Sequence, residues 1–265
     1  MLDTILSAVA VVLLISTIVL AANVRRLQRA KRQQGLGKPW TLPRVDVPAL
    51  DPVFRSDELG PTRETEVRYI GRGVQPVLGG ASDYETWILC VLATRAHRMF
   101  EFGTCTGKTA YLWARNLPPG GHVTTLTLSP ESLHEYVNAS GDTADAVSHA
   151  LEESRFTRYL YTGTDVSDRI TQLYGDSKTF DDAPYRAQCD VIFVDGSHAY
   201  SYVKSDTEKA LRMIAPGGVI LWHDYTGPNG SPDVYRALNE LGPRLDLRHV
   251  KGTTLVFHRA AASAR

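Results

Sequence analysis

Hydrophobic and polar positions divide the chain into unlike parts. Between Thr4 and Val24 there is no charged residue, and residues 5–22 are almost wholly aliphatic. A bilayer core is crossed by about 20 such residues, so residues 1–24 are expected to be a transmembrane anchor. Arg25, Arg26, Arg29, Lys31, Arg32 and Lys38 follow, against only Asp3 before the run. Positive residues stay on the cytoplasmic side, and a cleaved signal peptide would carry them ahead of the apolar stretch. The expectation is a single-pass membrane protein whose remaining chain is cytoplasmic.

Residues 25–81 read as a basic stretch that continues into a Pro/Gly-rich linker or arm, with prolines at 39, 43, 48, 52 and 61. From residue 82 onward the pattern is regular. Ser82 has the character of a helix N-cap, with Asp83 and Glu85 in the first turn. Tyr84, Trp87, Ile88, Val91 and Leu92 recur at helical spacing. A strand is predicted over 97–102, a helix over 109–117 and a β-branched strand over 122–128. Residues 130–154 are polar or helical without a clear division. Strands follow at 169–174 and 190–194, the latter apolar throughout as in a parallel strand buried on both faces. The helix predicted over 200–214 turns Val203, Thr207, Ala210, Leu211 and Ile214 inward. A strand over 219–222, a helix over 234–241 and strands over 245–250 and 253–258 complete the chain. Strands alternating with helices predict an α/β fold: a doubly wound, mostly parallel seven-stranded sheet over 82–265. Ligands in such sheets sit at the carboxyl ends of the strands.

Composition narrows the partners. Lys+Arg and Asp+Glu are 29 each, so charge gives no footprint for nucleic acid. The three cysteines, Cys90, Cys105 and Cys189, show no metal or redox spacing and read as reduced thiols.

The chemistry concentrates in residues 101–109, Glu-Phe-Gly-Thr-Cys-Thr-Gly-Lys-Thr, where a strand end meets a helix start. Glycines there admit close approach of a ligand to backbone, and the helix start supplies free N–H donors. A phosphate-binding loop needs four residues before Gly-Lys-[Ser/Thr]; here three separate Gly103 from Gly107. A dinucleotide loop fits less well, because Cys105 and Lys108 stand where the second and third glycines belong.

Residues 101–107 resemble the first motif of class I S-adenosylmethionine-dependent methyltransferases, and the resemblance continues in order. Gly175-Asp176-Ser177 is similar to the segment that faces adenine in that family. Residues 189–200 resemble its fourth-strand motif, and 214–225 its post-helix turn and fifth strand. The resemblance implies a Rossmann-like methyltransferase fold with S-adenosyl-L-methionine held by Glu101, Gly103, Thr104, Cys105, Gly107, Thr109, Asp176, Ser177 and Asp195. Asp195 with His223 and Asp224 is most similar to the metal-dependent O-methyltransferases of sugars and other small hydroxylated molecules.

Two neighbouring strands that each end in an aspartate bring Asp195 and Asp224 to one sheet edge, a donor set suited to Mg2+. Asp195, Asp224 and His223 are the expected metal ligands. Asp195, His198 and His223 are the catalytic candidates, with either histidine able to take a hydroxyl proton. The structural alternatives are a helix cap at Asp195 and a packed histidine at 223. One departure stands out: where the family carries an acidic residue that holds the ribose, this chain has Thr127, with Ser129 and Glu131 following. The expected function is methyl transfer to a small-molecule, sugar or lipid-linked acceptor at the membrane. A catalytically dead binding or scaffold protein and a nucleotide hydrolase are the alternatives.

Overall fold

The computed structural model describes residues 16–17, 19–25, 41–72 and 80–262. Its centre is a sheet of eight strands. In chain order these are β1 (Arg44–Val45), β4 (Arg98–Phe102), β5 (His122–Thr127), β6 (Ile170–Tyr174), β7 (Cys189–Val194), β8 (Ile214–Trp222), β9 (Arg248–Val250) and β10 (Val256–Arg259). A small hairpin of β2 (Ser56–Asp57) and β3 (Gly60–Pro61) stands apart. The order across the sheet is β1-β9-β10-β8-β7-β4-β5-β6. Strands β8, β7, β4, β5 and β6 run parallel, while β10 is antiparallel to both β8 and β9.

The strands are apolar on both faces, and their period of two explains how. Met99, Val123, Val191, Phe193, Val219 and Leu221 face one core, with Ile88 and Val91 of helix α1 (Asp83–Ala93) and Trp113 of α2 (Lys108–Asn116). Phe100, Phe102, Ile192, Val194, Ile220 and Trp222 face the other. There they meet Val203, Ala210 and Met213 of α4 (Tyr200–Met213) and Val234, Leu238 and Leu241 of α5 (Pro232–Leu245). Each such fully buried side chain contributes about 1.5–3 kcal/mol of transfer free energy. Helix α3 (Ala144–Glu153) lies outside both layers, with only Ala146 and Ala150 buried.

The local signals act as their chemistry requires. Ser82 caps α1 in a reciprocal capping box: its hydroxyl accepts from the Glu85 N–H, and the Glu85 carboxylate accepts from the Ser82 N–H. Gly107, at φ +73°, turns the chain into α2 in a left-handed conformation that suits glycine.

Three expectations need correction. The sheet has eight strands, because the Pro-rich arm adds β1 beside β9; Leu50, Val53 and Phe54 from the same arm are buried in the first core. Strand β8 begins at Ile214, so Pro216-Gly217-Gly218 lies within an irregular strand and not in a turn ahead of it. Among the described residues, no helix is long and apolar enough to cross a membrane, which overturns the expected single-pass membrane localisation. Helix is described at residues 16–17 and 19–25. The rest of 1–24, on which the transmembrane reading stands, lies outside the described residues, as do 26–40.

Candidate active site

The carboxyl ends of β4, β5, β6, β7 and β8 gather the chemistry, and the loops that follow them build two adjoining spaces. The first is a narrow cleft whose walls include Gly103, Cys105, Thr127, Asp176, Ser177 and Asp206. The second is an open cavity of about 1270 Å³, bounded by His149, His198, Asp224 and the 226–233 segment among others. Residues 195–198, the loop after β7, stand between them.

Gly103 shows why the first loop needs glycine. Its φ is +95°, and a Cβ would lie 2.1 Å from the Asp195 carbonyl oxygen, so the β4 and β7 loops touch through backbone alone. Glu101 sits beneath this loop, fully buried, accepting a 2.6 Å hydrogen bond from the Thr125 hydroxyl. Burial, helped by the nearby Asp195 charge and opposed by hydrogen bonds from Thr125 and Thr109, pushes its pKa up to about 8. Thr104 is also buried, bonded to Thr125 and accepting from Gln172. Gly107 packs against Tyr159 and Tyr161. Thr109 and Lys108 line a separate small space between α1 and α2. Of the expected cofactor residues, then, Gly103, Cys105, Asp176 and Ser177 face the cleft. Glu101, Thr104, Gly107 and Thr109 are not among the cleft walls. Lys108 does not reach the cleft wall, the place a phosphate-binding lysine would occupy.

The cleft carries buried polar groups. Asp176 is buried and accepts from the Tyr202 hydroxyl at 2.8 Å. Beside it, Asp206 is fully buried with its Oδ1 lacking a hydrogen-bond partner. Burial pushes its pKa up to about 7. An orphaned buried oxygen of this kind calls for a polar group to meet it. The weak point is the end of β5. Thr127 lines the cleft, but Ser129 is occupied in capping Ser132, and neither Ser129 nor the solvent-facing Glu131 is among the cleft walls.

The polar cluster between the spaces is tightly paired. His223 Nδ1 lies 2.9 Å from Asp195 Oδ1 and 3.1 Å from Asp224 Oδ2, and His198 Nε2 lies 2.8 Å from that same Asp224 oxygen. Behind His223, Glu85 Oε2 is 3.5 Å from Nε2. Burial disfavours charge on His198, yet Asp224, Glu153 and Asp195 outweigh it and push its pKa up to about 9. Burial likewise opposes charge on His223, and Asp195 and Asp224 again prevail, raising it well above the usual histidine range. Asp224 is held well below the ordinary carboxylate range by the two histidines, against its burial. Its backbone is left-handed, at φ +58°, with its carbonyl accepting from Thr226 N at 2.7 Å.

Asp195, His198 and Asp224 offer ligand atoms that all lie within 4.8 Å of one another. Two carboxylates and an imidazole fit a divalent cation. His223, the expected third ligand, lies outside that group of three, with its Nδ1 against both aspartates. Sequence reasoning missed Glu85, His149, Glu153 and Asp206. A Glu at the third position of a capped helix reads as a cap partner. The His149–Glu153 spacing of four was the one visible signal for that pair.

Residues 100–225 match the family described as a methyltransferase domain. No curated protein sequence matches the chain. Among solved structures, the O-methyltransferase TomG of Streptomyces achromogenes, involved in tomaymycin synthesis and determined with SAM, is similar at 24% identity and TM-score 0.46. That alignment covers 71% of this chain and 83% of TomG. An O-methyltransferase from Bacillus cereus in complex with SAH aligns at 18% identity and TM-score 0.48, over 70% of this chain and 84% of its own. The SAH-bound methyltransferase PaMTH1 of Podospora anserina aligns at 17% identity and TM-score 0.49, over 70% and 81%.

Proposed function

Residues 100–225 match the model of a methyltransferase domain, and from that premise we propose that this chain is a class I methyltransferase that moves the methyl group of S-adenosylmethionine to a hydroxyl of a small acceptor, with a divalent cation assisting. The observation that supports this reading is that Asp195, His198 and Asp224 lie where a cleft at the ends of β4–β7 adjoins an open cavity. A methyl donor in the cleft and an acceptor in the cavity would meet there.

The residues divide the work. Asp176 and Asp206 would receive polar groups of the adenosyl moiety, and Gly103 and Cys105 would admit its sulfur end. Asp195, His198 and Asp224 would hold the cation, which when bound lowers the pKa of a coordinated hydroxyl. His198 would serve as base only where Asp195 and Asp224 alone hold the cation; its ring borders the cavity, whereas that of His223 does not. The 226–233 segment would choose the acceptor.

The missing carboxylate at the end of β5 favours a second reading, a binding protein on the same fold. Calorimetry with S-adenosylmethionine, with and without Mg2+, decides between them. Micromolar binding and methyl transfer to a hydroxylated acceptor support the enzyme; absence of heat at millimolar cofactor sinks it.

A further inference from the structure

Helix α3 presents a pair of side chains that the methyl-transfer reading leaves unused. His149 and Glu153 are four residues apart, so they share one helix face, and His149 Nε2 lies 3.2 Å from Glu153 Oε1. Across from them, the loop after β7 brings in His198, whose ring centroid is 4.5 Å from that of His149. Ligand atoms of these three residues all lie within 4.8 Å of one another.

The donor chemistry differs from that of the neighbouring group. Asp195, His198 and Asp224 supply two hard carboxylates and one imidazole. His149, Glu153 and His198 supply two imidazoles and one carboxylate. Imidazole-rich sets suit zinc-class transition metals, and two His with one Glu and an open fourth position is a zinc arrangement of the catalytic kind. The position is open here as well. His149 and His198 border the cavity, Glu153 borders the cleft, and the Glu153 side chain is only 12% exposed. An isolated surface ion pair on a helix would not bury its carboxylate against a third donor from another element.

We propose that His149, Glu153 and His198 form a second cation site, selective for a zinc-class transition metal, whose free coordination position opens toward the acceptor cavity. The site ties α3, which contributes little to either core, to the β7 loop. His198 belongs to both groups of donors, so a zinc-class ion competes with Mg2+ for that imidazole.

The test uses Co2+ as a spectroscopic probe on the full chain, with Zn2+ as competitor. One Co2+ per chain is expected, with visible ligand-field absorption that Zn2+ displaces. His149→Ala and Glu153→Gln are each expected to weaken Co2+ binding by roughly 100-fold or more, since even outer-shell changes cost 10–100-fold. His149→Cys supplies a direct readout, a thiolate-to-Co2+ charge-transfer band. Thermal melts establish that each variant is folded. Absence of Co2+ absorption at millimolar metal, its persistence in His149→Ala, or a silent His149→Cys would each overturn the proposal. None of these measurements involves S-adenosylmethionine, so the outcome is independent of the methyl-transfer reading.

Discussion

Glu85 and His223 are 138 positions apart in the chain, yet Glu85 Oε2 lies 3.5 Å from His223 Nε2 at the back of the site. The other Glu85 oxygen accepts from the Thr254 amide at 2.6 Å and the Thr254 hydroxyl at 2.9 Å. Thr254 in turn accepts from the Asp224 amide at 3.3 Å. One carboxylate, on the first helix, therefore sits against the imidazole between the aspartates and, through Thr254, against the left-handed residue that bears one of them.

Removing that charge should loosen the whole polar cluster. Glu85→Gln is expected to destabilise the fold by about 3 kcal/mol, the scale of breaking a buried pair. It should also weaken the Mg2+ response 10–100-fold, as for other outer-shell changes. Burial works against the Glu85 charge, but His223, Thr254 and Ser82 hold its pKa far below the ordinary 4.5. Its contribution is therefore present above pH 4.5 and lost as pH falls. Chemical denaturation across pH should show a shallower acid limb in the variant.

Asp206 should give the opposite slope. Its burial, with Asp176 adding to it and Ser177, Lys209 and Lys178 opposing, raises its pKa from 3.8 to about 7. The folded state then keeps a proton that the unfolded chain releases, so this contribution is full below pH 3.8 and lost as pH rises through about 7. Asp206→Asn, which mimics the neutral acid, should remove that decline in urea titrations. A variant whose stability profile matches wild type would show that Asp206 is ionised in the fold.

Gly103→Ala meets two obstacles at once: φ of +95° and a Cβ 2.1 Å from backbone. We expect a loss of about 3 kcal/mol or more, read as a lower melting temperature, together with loss of cofactor binding.

Asp224→Ala removes a ligand and the partner of both histidines. Mg2+ dependence of methyl transfer should disappear along with most of the rate. An unchanged metal response would assign the aspartate a structural role only.

Phe54 is 1% exposed and packs edge-on against Trp87, with ring centroids 5.2 Å apart. Phe54→Ala should cost about 3–5 kcal/mol if the arm is part of the folded unit. Differential scanning calorimetry reads this directly.

Much of the arrangement was legible because strand ends in a parallel sheet are chemically marked. The apolar run before Asp195, the Gly103 turn and the order of the four motifs led to the sheet, the cleft and the two aspartates. Less legible was whatever depends on a partner distant in sequence. Glu85 satisfies a local rule, the capping box, and its second role exists only once Thr254 and His223 arrive. His149 and Glu153 lie on a helix with few buried residues, so hydrophobic periodicity there was too weak to show which face mattered. Thr109 and Thr104 belong to the motif yet are not among the cleft walls, since spacing reveals neighbourhood and not direction. At the N-terminal run, hydropathy alone led to a membrane span that the described helices do not support.

The short β1 has one more effect. It pairs with β9, and Pro43 offers its carbonyl to His249 N at 2.9 Å. This strand is two residues long, and Pro43 and Pro48 near its ends have no N–H to donate. A sheet edge finished this way offers an incoming strand almost nothing to hydrogen-bond. The arm thus finishes this margin of the sheet with a strand that has little left to pair.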